Sequence, residues 1–272
     1  MFDTRGRRVT KRTPSPERPA VVAATRSTTR GVRRKEETRT RLLDAALRLM
    51  AERGMEGVAI SEITAAADVG FGSFYNHFES KGAIYAALIE QVFEDYADML
   101  DVIAGGLPDP AEAIAVSVRH TLMRARGEPL WGRFLIREGL SDRALRHGLG
   151  QRLWRDTQRG IADKRFFIAD PFVGLLSLKG TLLAAAAAQL HFMTPASGVL
   201  DGLGAEREHF AERTAAVVLQ MLGLQRAEAE HIAMRALPEL NGTGRSGQPR
   251  LRTVPLGPPA LRRPGKRKSS AG

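Results

Sequence analysis

The sequence contains no cysteine. This absence excludes disulfide bonds, thiolate metal sites and a cysteine nucleophile. It suits a reducing compartment, so we expect a cytoplasmic protein. The N-terminal residues MFDTRGRRVTKRTPSPERP lack the apolar core of a secretory signal. The longest apolar-rich run, at 182–190, is mostly alanine and lies close to Lys179, Gln189 and His191. It is shorter than a bilayer requires, and we expect no membrane span.

Motifs of phosphate-binding and hydrolytic enzymes are also missing. The sequence has no glycine-rich phosphate loop and no Gly-x-Ser-x-Gly elbow. Ser141, Asp142 and His147 are close in sequence, but a helix cap accounts for the serine and the aspartate. We therefore expect no enzyme activity and no cofactor.

One remote alternative is a di-iron helical-bundle enzyme. Glu206 and His209, like Glu228 and His231, have the Glu-x-x-His spacing of such sites. The site would also need lone glutamates from two other long helices, for which the candidates are Glu90, Glu94 and Glu112. A solvated helix face explains the same spacing more simply, so we expect no metal.

Positive charge is concentrated at the two ends of the chain. Residues 1–35 contain 11 basic and 2 acidic residues, residues 239–272 contain 8 and 1, and the intervening residues contain 22 and 27. Residues 1–34 and 239–272 also lack apolar periodicity, and we expect both to be disordered tails. Basic tails beside a DNA-binding unit add phosphate contacts. A tail that binds no partner is the alternative.

Everything between the tails has the pattern of helices, without strand-like alternation. Helices are predicted at about 36–53, 60–67, 71–77, 80–100, 205–222 and 226–237, with further starts near 110, 129, 141 and 171. Asp109-Pro110 and Asp170-Pro171 each combine an N-cap with a proline at the first helical position. About ten helices and no sheet predict an all-α fold.

The stretch AISEITAAADVGFGSFYNHFESK, at 59–81, indicates a helix-turn-helix. Ile60, Ile63 and Ala67 have helical spacing and form an apolar stripe. Asp68 tolerates the left-handed conformation that a tight turn requires. In the second short helix, Phe74 and Phe78 lie four residues apart and face the core. The polar and aromatic side chains around them remain on the outside of the helix, where they are available to contact DNA.

This pattern resembles the tetracycline-repressor family of transcription regulators. The motif stands here as Ile63-Thr64, then Ala67 to Phe78 without interruption, then Ser80-Lys81; Thr38-Arg39, Leu42 to Ala46 and Arg53-Gly54 match upstream. The resemblance covers about 36–96. It implies an N-terminal three-helix DNA-binding domain over 36–96, with its helix-turn-helix at 59–78, followed by a helical dimerisation and ligand-binding domain over 97–238.

The resemblance also implies which residues contact DNA: Arg39, Ser61, Gly70, Phe71, Gly72, Ser73, Tyr75, Asn76, His77 and Lys81. Tyr75, His77 and Lys81 are candidates for phosphate contacts. Phe71 and Ser73 are placed to reach base edges, although Phe71 could instead pack against the first helix. Three positions depart from the family pattern, since Ala59 replaces a Ser or Thr cap, Asp68 a glycine and Gly70 a serine.

For the C-terminal domain the expected partners are a small apolar effector and a second copy of the chain. Candidate pocket residues are Met123, Trp131, Phe134, Trp154 and His191, and a filled core is the alternative. Candidate dimer residues are Ala185, Leu219 and Leu222, on the helices near 172–192 and 205–222. The predicted function is a ligand-responsive repressor that binds double-stranded DNA at a palindromic operator as a homodimer. The rival hypothesis is an architectural DNA-binding protein without an effector.

Overall fold

The computed structural model describes residues 21–193 and 208–238, and no strand occurs among them. The α-helices are α1 (Val21–Arg53), α2 (Ile60–Ala66), α3 (Phe71–Tyr75), α4 (Lys81–Ile89), α5 (Asp95–Ala104), α6 (Pro110–Gly127), α7 (Pro129–Glu138), α8 (Asp142–Arg146), α9 (Gly148–Ala162), α10 (Pro171–Ala187), α11 (Phe210–Met221) and α12 (Arg226–Met234). The all-α prediction is confirmed.

The first helix differs from its prediction. It begins at Val21, whereas the sequence predicted a start near residue 36 and an unstructured segment up to residue 34. The last proline before this helix is Pro19, so nothing after Val21 prevents the backbone from continuing as a helix. The remaining predicted tail residues, 1–20 and 239–272, lie outside the described residues.

The predicted helix starts are explained by local caps. The side chain of Asp109 accepts a hydrogen bond from the N–H of Ala111 (2.9 Å), and Ser141 accepts one from Ala144 (3.3 Å). Asp170 accepts from both Phe172 and Val173 (3.0 Å each). Each cap satisfies backbone donors that have no partner inside the helix.

Two helices contain a π-helical turn that the sequence did not predict. The first, Glu90–Glu94, joins α4 to α5 in one continuous helix, and the second, Ala188–Phe192, extends α10. A π turn inserts one extra residue and often marks a functional site. The first π turn is important here because α4 follows directly from the helix-turn-helix.

The core of the C-terminal part is built around α6, which packs against α5, α7, α9, α10, α11 and α12. The N-terminal part is joined to it through α1 and α7. Arg137 of α7 donates hydrogen bonds to the carbonyls of Ala51 (3.3 Å) and Glu52 (2.7 Å) at the end of α1. In addition, the hydroxyl of Tyr85 in α4 donates to the carboxylate of Glu138.

The helix over Pro171–Phe192 is apolar and, at 22 residues, long enough to cross a membrane by length and composition. The prediction of no membrane span rests on the alanine-rich half of this helix alone, at 182–190, which is shorter than a bilayer requires. One third of the most apolar window is buried inside the protein, including Lys179.

Candidate nucleic-acid interface and cavity

The turn between α2 and α3 depends on Asp68. This residue has φ +53°, in the left-handed region, as its sequence position predicted. Arg41 of α1 donates to the Asp68 carbonyl (3.4 Å). Ile63 and Phe74 are fully buried and Phe78 is buried, as predicted for the core of the motif, whereas Val69 is only half-buried.

The second helix of the motif, α3, presents two aromatic side chains to solvent. Phe71 is 54% exposed and Tyr75 51%, and their rings meet edge-on with centroids 5.7 Å apart. Exposed aromatic rings cost solvation free energy unless a partner covers them. Around them, Gly70, Gly72 and Asn76 are exposed and Ser73 is half-buried. The surface that the sequence assigned to DNA is therefore accessible.

Basic residues of α1 surround His77 beside this surface. His77 is half-buried, and burial lowers its pKa, aided by the positive charges of Lys35 and Arg39. Near neutral pH this histidine is therefore an uncharged hydrogen-bond donor. The Arg39 guanidinium lies over the Phe78 ring, 5.4 Å from its centroid.

The start of α2 is capped in a different way from the family pattern. Ala59 has no side-chain acceptor, but the Glu62 carboxylate accepts from the Ala59 N–H (2.8 Å) and from Arg53 (2.8 Å). The hydrogen bond from Ala59 is the main reason that the pKa of Glu62 is lowered. Ser61 is exposed at the first turn of α2, where its hydroxyl can reach a ligand.

Lys81 has an intramolecular partner that the sequence did not predict. Its Nζ lies 3.5 Å from the carbonyl and 3.6 Å from the carboxylate of Glu56. This explains a cation in the first turn of α4, where the helix dipole is unfavourable to positive charge. A phosphate contact is therefore not needed to account for Lys81.

A cavity of roughly 470 Å³ lies inside the C-terminal part of the chain, a volume typical of small-molecule sites. Its walls come from the first π turn, α5, α6, α7, α9, α10 and α11 and are mostly apolar. The lining residues include Phe93, Leu100, Ile114, Val118, Leu135, Leu149, Leu153, Leu178, Leu182, Leu183 and Val218. The hydroxyls of Ser117 and Thr121 add polar groups on α6.

An ion-pair cluster contributes Asp101, Arg152 and Arg155 to the cavity wall. Arg152 of α9 binds the carboxylates of Glu94 (3.0 Å), Asp98 and Asp101 (2.6 Å). Arg155 binds Asp101 as well (2.8 Å). Burial alone would raise the pKa of Asp101, but the hydrogen bonds from Arg155 and Arg152 lower it below its usual range. Asp101 therefore stays ionised at neutral pH.

None of the five predicted pocket residues lines this cavity. Trp131 and Phe134 are fully buried in the packed core, where Trp131 donates to the carbonyl of Val92 (3.4 Å). The remaining three candidates, Met123, Trp154 and His191, are exposed or half-buried and are absent from the cavity wall. The sequence indicated a large apolar domain, but it did not indicate which side chains line the cavity.

The predicted dimer residues are buried inside the single chain. Leu219 and Leu222 are fully buried within the chain and Ala185 is buried, because α11 packs against α6, α10 and α12. On the same two helices, other apolar side chains are exposed. They are Phe172, Val173 and Leu176 of α10 and Val217 and Met221 of α11. These five residues form what we call the α10–α11 face.

Three of the five glutamates nominated for a di-iron site have arginine partners instead. Glu94 binds Arg152 (3.0 Å), Glu112 binds Arg235 (3.0 Å) and Glu228 binds Arg165 (2.8 Å). Glu206 lies outside the described residues. Within 21–193 and 208–238, no three His, Asp or Glu side chains come close enough to hold a metal ion.

Sequence reasoning missed the polar residues of the cavity, although the sequence contains a signal for them. Leu149, Arg152, Leu153 and Asp156 follow helical spacing, so charges interrupt what would otherwise be an apolar stripe. Lys179 is likewise the single charge in the apolar sequence of α10. A charged residue within an apolar stripe indicates a buried polar site.

Comparisons with known proteins agree with these features. Residues 42–88 match the family model for bacterial regulatory proteins of the tetR family, and residues 109–235 match the tetracyclin repressor-like C-terminal domain. The HTH-type transcriptional repressor DhaR of Mycobacterium sp. (strain GP1) is 46% identical over 57 residues, 21% of this chain and 29% of DhaR. KstR2 of Rhodococcus jostii (strain RHA1) is 35% identical over 78 residues, 28% of this chain and 38% of KstR2. The chain thus spans well under half of both curated relatives.

A solved structure matches more of the chain. RolR in complex with resorcinol is 36% identical, with a TM-score of 0.56, over 76% of this chain and 98% of RolR. A putative tetR-family regulator from Shewanella sp. PV-4 shares the fold at 19% identity, with a TM-score of 0.55, over 67% of this chain and 96% of that one. Both halves of this chain are therefore matched, and the chain belongs to the TetR family of bacterial regulatory proteins.

Proposed function

We propose that this protein is a transcriptional repressor that binds a palindromic operator as a homodimer and releases it when a small ring compound enters the cavity. The observation that carries the proposal is that one chain combines an exposed recognition helix with a cavity of roughly 470 Å³. RolR, with which the chain shares 36% identity, has been crystallised with resorcinol, a small ring compound.

The proposed DNA-reading element is α3. Its exposed side chains, led by Phe71 and Tyr75, would enter the major groove, as the second helix of a helix-turn-helix does. The backbone at Gly70 and Gly72 can approach a phosphate closely, because a Cβ at Gly72 would meet no other atom within 4 Å. Basic residues of α1, among them Arg39, would add phosphate contacts.

The proposed dimer forms through the α10–α11 face. Phe172 is 62% exposed and Val217 48%, and the Thr181 hydroxyl lies 3.5 Å from the Met221 sulfur, so the two helices adjoin at this surface. A Cβ at Gly180 would also meet nothing within 4 Å, which leaves room for a partner helix. Two such helices from each protomer would form a closed two-fold interface, which accounts for the apolar character of α10.

The route from cavity to DNA would run through the first π turn. Phe93 of this turn lines the cavity, and its neighbour Glu94 accepts from the Gly148 N–H (2.6 Å) and from Arg152. A ligand that displaces Arg152 would move Glu94 and hence α4. Because α4 begins three residues after Phe78, its movement would reposition α3 in each half-site and weaken operator binding.

A footprint tests the DNA-binding part of this proposal. The purified full-length protein selects duplexes from a random-sequence pool, and the selected duplexes are then footprinted. We expect one protected palindrome whose half-sites are about one helical turn apart. Protection spread evenly along the duplex, without a shared sequence, would instead favour an architectural DNA-binding protein.

A further inference from the structure

Lys179 is a buried ammonium group in the apolar helix α10. Its side chain borders the cavity and the residue is only 7% exposed. Within the described residues, its Nζ makes one hydrogen bond, to the carbonyl of Ala144 at 3.4 Å, and no ion pair. An ammonium group has three donors, so this single long contact leaves most of its hydrogen-bonding capacity unused.

Gly150 of α9 lies against this group and against the end of α8. A Cβ at Gly150 would clash with the Ala144 carbonyl oxygen and would lie 2.9 Å from Lys179 Nζ, so the glycine lets α9 approach both the α8 backbone and the ammonium group. Burial lowers the pKa of Lys179 to about 8, and no carboxylate offsets that effect. The lysine is therefore still mostly protonated at neutral pH, in a place where an unpaired charge is unfavourable.

Positive charges outnumber negative charges around the cavity. Four basic residues line it (Arg152, Arg155, Arg159 and Lys179), against two acidic residues, Asp101 and Asp156. Both carboxylates are already bound by Arg155, at 2.8 and 2.9 Å. Among the residues that the structure describes, Lys179 is therefore the cavity-lining cation that lacks an anion. Asp156 does not pair with Lys179 either. It lies six residues beyond Gly150 on α9, about 9 Å along the helix at the usual rise, whereas Gly150 is the residue of α9 next to the ammonium group.

We propose that Lys179 is the specificity-determining residue of the effector site, and that the effector is a small aromatic carboxylic acid whose carboxylate pairs with its ammonium group. The ring would lie against the leucines of the cavity wall, among them Leu149 and Leu182. A carboxylate is the group that makes such a ring anionic at neutral pH. This inference rests on the proposed function, because it assumes that the cavity holds an effector.

A matched pair of probes tests the inference. 3-Hydroxybenzoate and 3-hydroxybenzamide have the same ring and hydroxyl, but only the first is an anion. Calorimetric titration of the full-length protein is expected to give at least tenfold tighter binding of the acid. In Lys179→Met this preference disappears, while the affinity for the amide changes less than threefold. Lys164→Met, which removes an exposed lysine outside the cavity, is expected to keep the preference.

A second variant separates recognition from a purely structural role of Lys179. Lys179→Gln keeps a donor for the Ala144 carbonyl but carries no charge. A structural role predicts that glutamine restores normal binding of both probes, and that result would overturn the inference. Equal affinity for acid and amide in the unmodified protein would overturn it as well.

The same titrations distinguish failure of the inference from failure of the proposed function. Suppose that the amide or resorcinol binds and causes the protein to release the operator, while the acid binds no more tightly than the amide. The assignment of Lys179 is then wrong and the proposed function stands. If no probe binds at millimolar concentration, an effector of this class is ruled out, and the inference falls with it.

Discussion

Asp68 stabilises the helix-turn-helix through its backbone conformation rather than through a side-chain contact. Its φ of +53° is unfavourable for residues with a Cβ, and aspartate tolerates it better than most. We expect Asp68→Ala to lower the free energy of unfolding by about 1 kcal/mol and Asp68→Gly to leave it nearly unchanged. Urea denaturation measures both, and Asp163→Ala, at an exposed position with negative φ, is the control. Equal losses in the alanine and glycine variants would contradict this account of the turn.

Lys179 should reduce the stability of the ligand-free protein. Its pKa falls from 10.5 in the unfolded chain to about 8 in the folded protein. Below pH 8 both states are protonated, and the folded state bears the full cost of the buried charge. Between pH 8 and 10.5 the folded state releases its proton first, so stability rises with pH.

We therefore expect Lys179→Met to raise the melting temperature at pH 7, with a gain on the order of 1–3 kcal/mol in unfolding free energy. The gain should shrink as the pH rises from 8 to 10, because the wild-type lysine loses its charge. Thermal unfolding at a series of pH values provides the measurement. A variant that is less stable than wild type at pH 7 would mean that the lysine mainly supports the end of α8.

Among the helices and turns, the sequence predicted the features that are determined by residues close together in the chain. The starts of α6, α8 and α10 follow from caps within three residues, and the turn at Asp68 follows from local backbone sterics. The cavity wall and the exposed face of α11 depend instead on packing between distant helices. Val217 rather than Leu219 is exposed there because the opposite side of α11 packs on α6.

The π turn at Glu90–Glu94 is the element that should couple the cavity to DNA. Glu94→Gln keeps an acceptor for the Gly148 N–H but removes the ion pair with Arg152. We expect effector and operator affinities, each measured alone, to change less than threefold. Release of the operator should require about fivefold more effector, as for a loss of about 1 kcal/mol of coupling. Glu90→Gln, exposed in the same turn, serves as the control, and an unchanged release curve in Glu94→Gln would exclude this route.

For the whole molecule, the central question is whether two chains associate through the α10–α11 face. Leu176→Arg combined with Val217→Arg changes side chains that are exposed in the single chain, so the fold should survive. In the dimer both arginines would be buried in an apolar interface, which usually covers about 2,000 Å² or more. Sedimentation should show a folded monomer with operator affinity lost, whereas Val102→Arg, at an exposed site on α5, should remain a dimer. If the double variant sediments as the wild type does, the dimer interface does not lie on the α10–α11 face.

The decisive experiment asks whether the cavity and the operator site are coupled reciprocally. The affinity of the tighter-binding probe, resorcinol or 3-hydroxybenzoate, is measured by calorimetry with free protein and with protein saturated by the selected operator. Operator affinity is measured by fluorescence anisotropy with and without saturating probe. If one equilibrium links the sites, both affinities fall by the same factor, about 5- to 150-fold. A probe that binds free and operator-bound protein equally well would contradict the claim that this protein senses a ligand through its cavity.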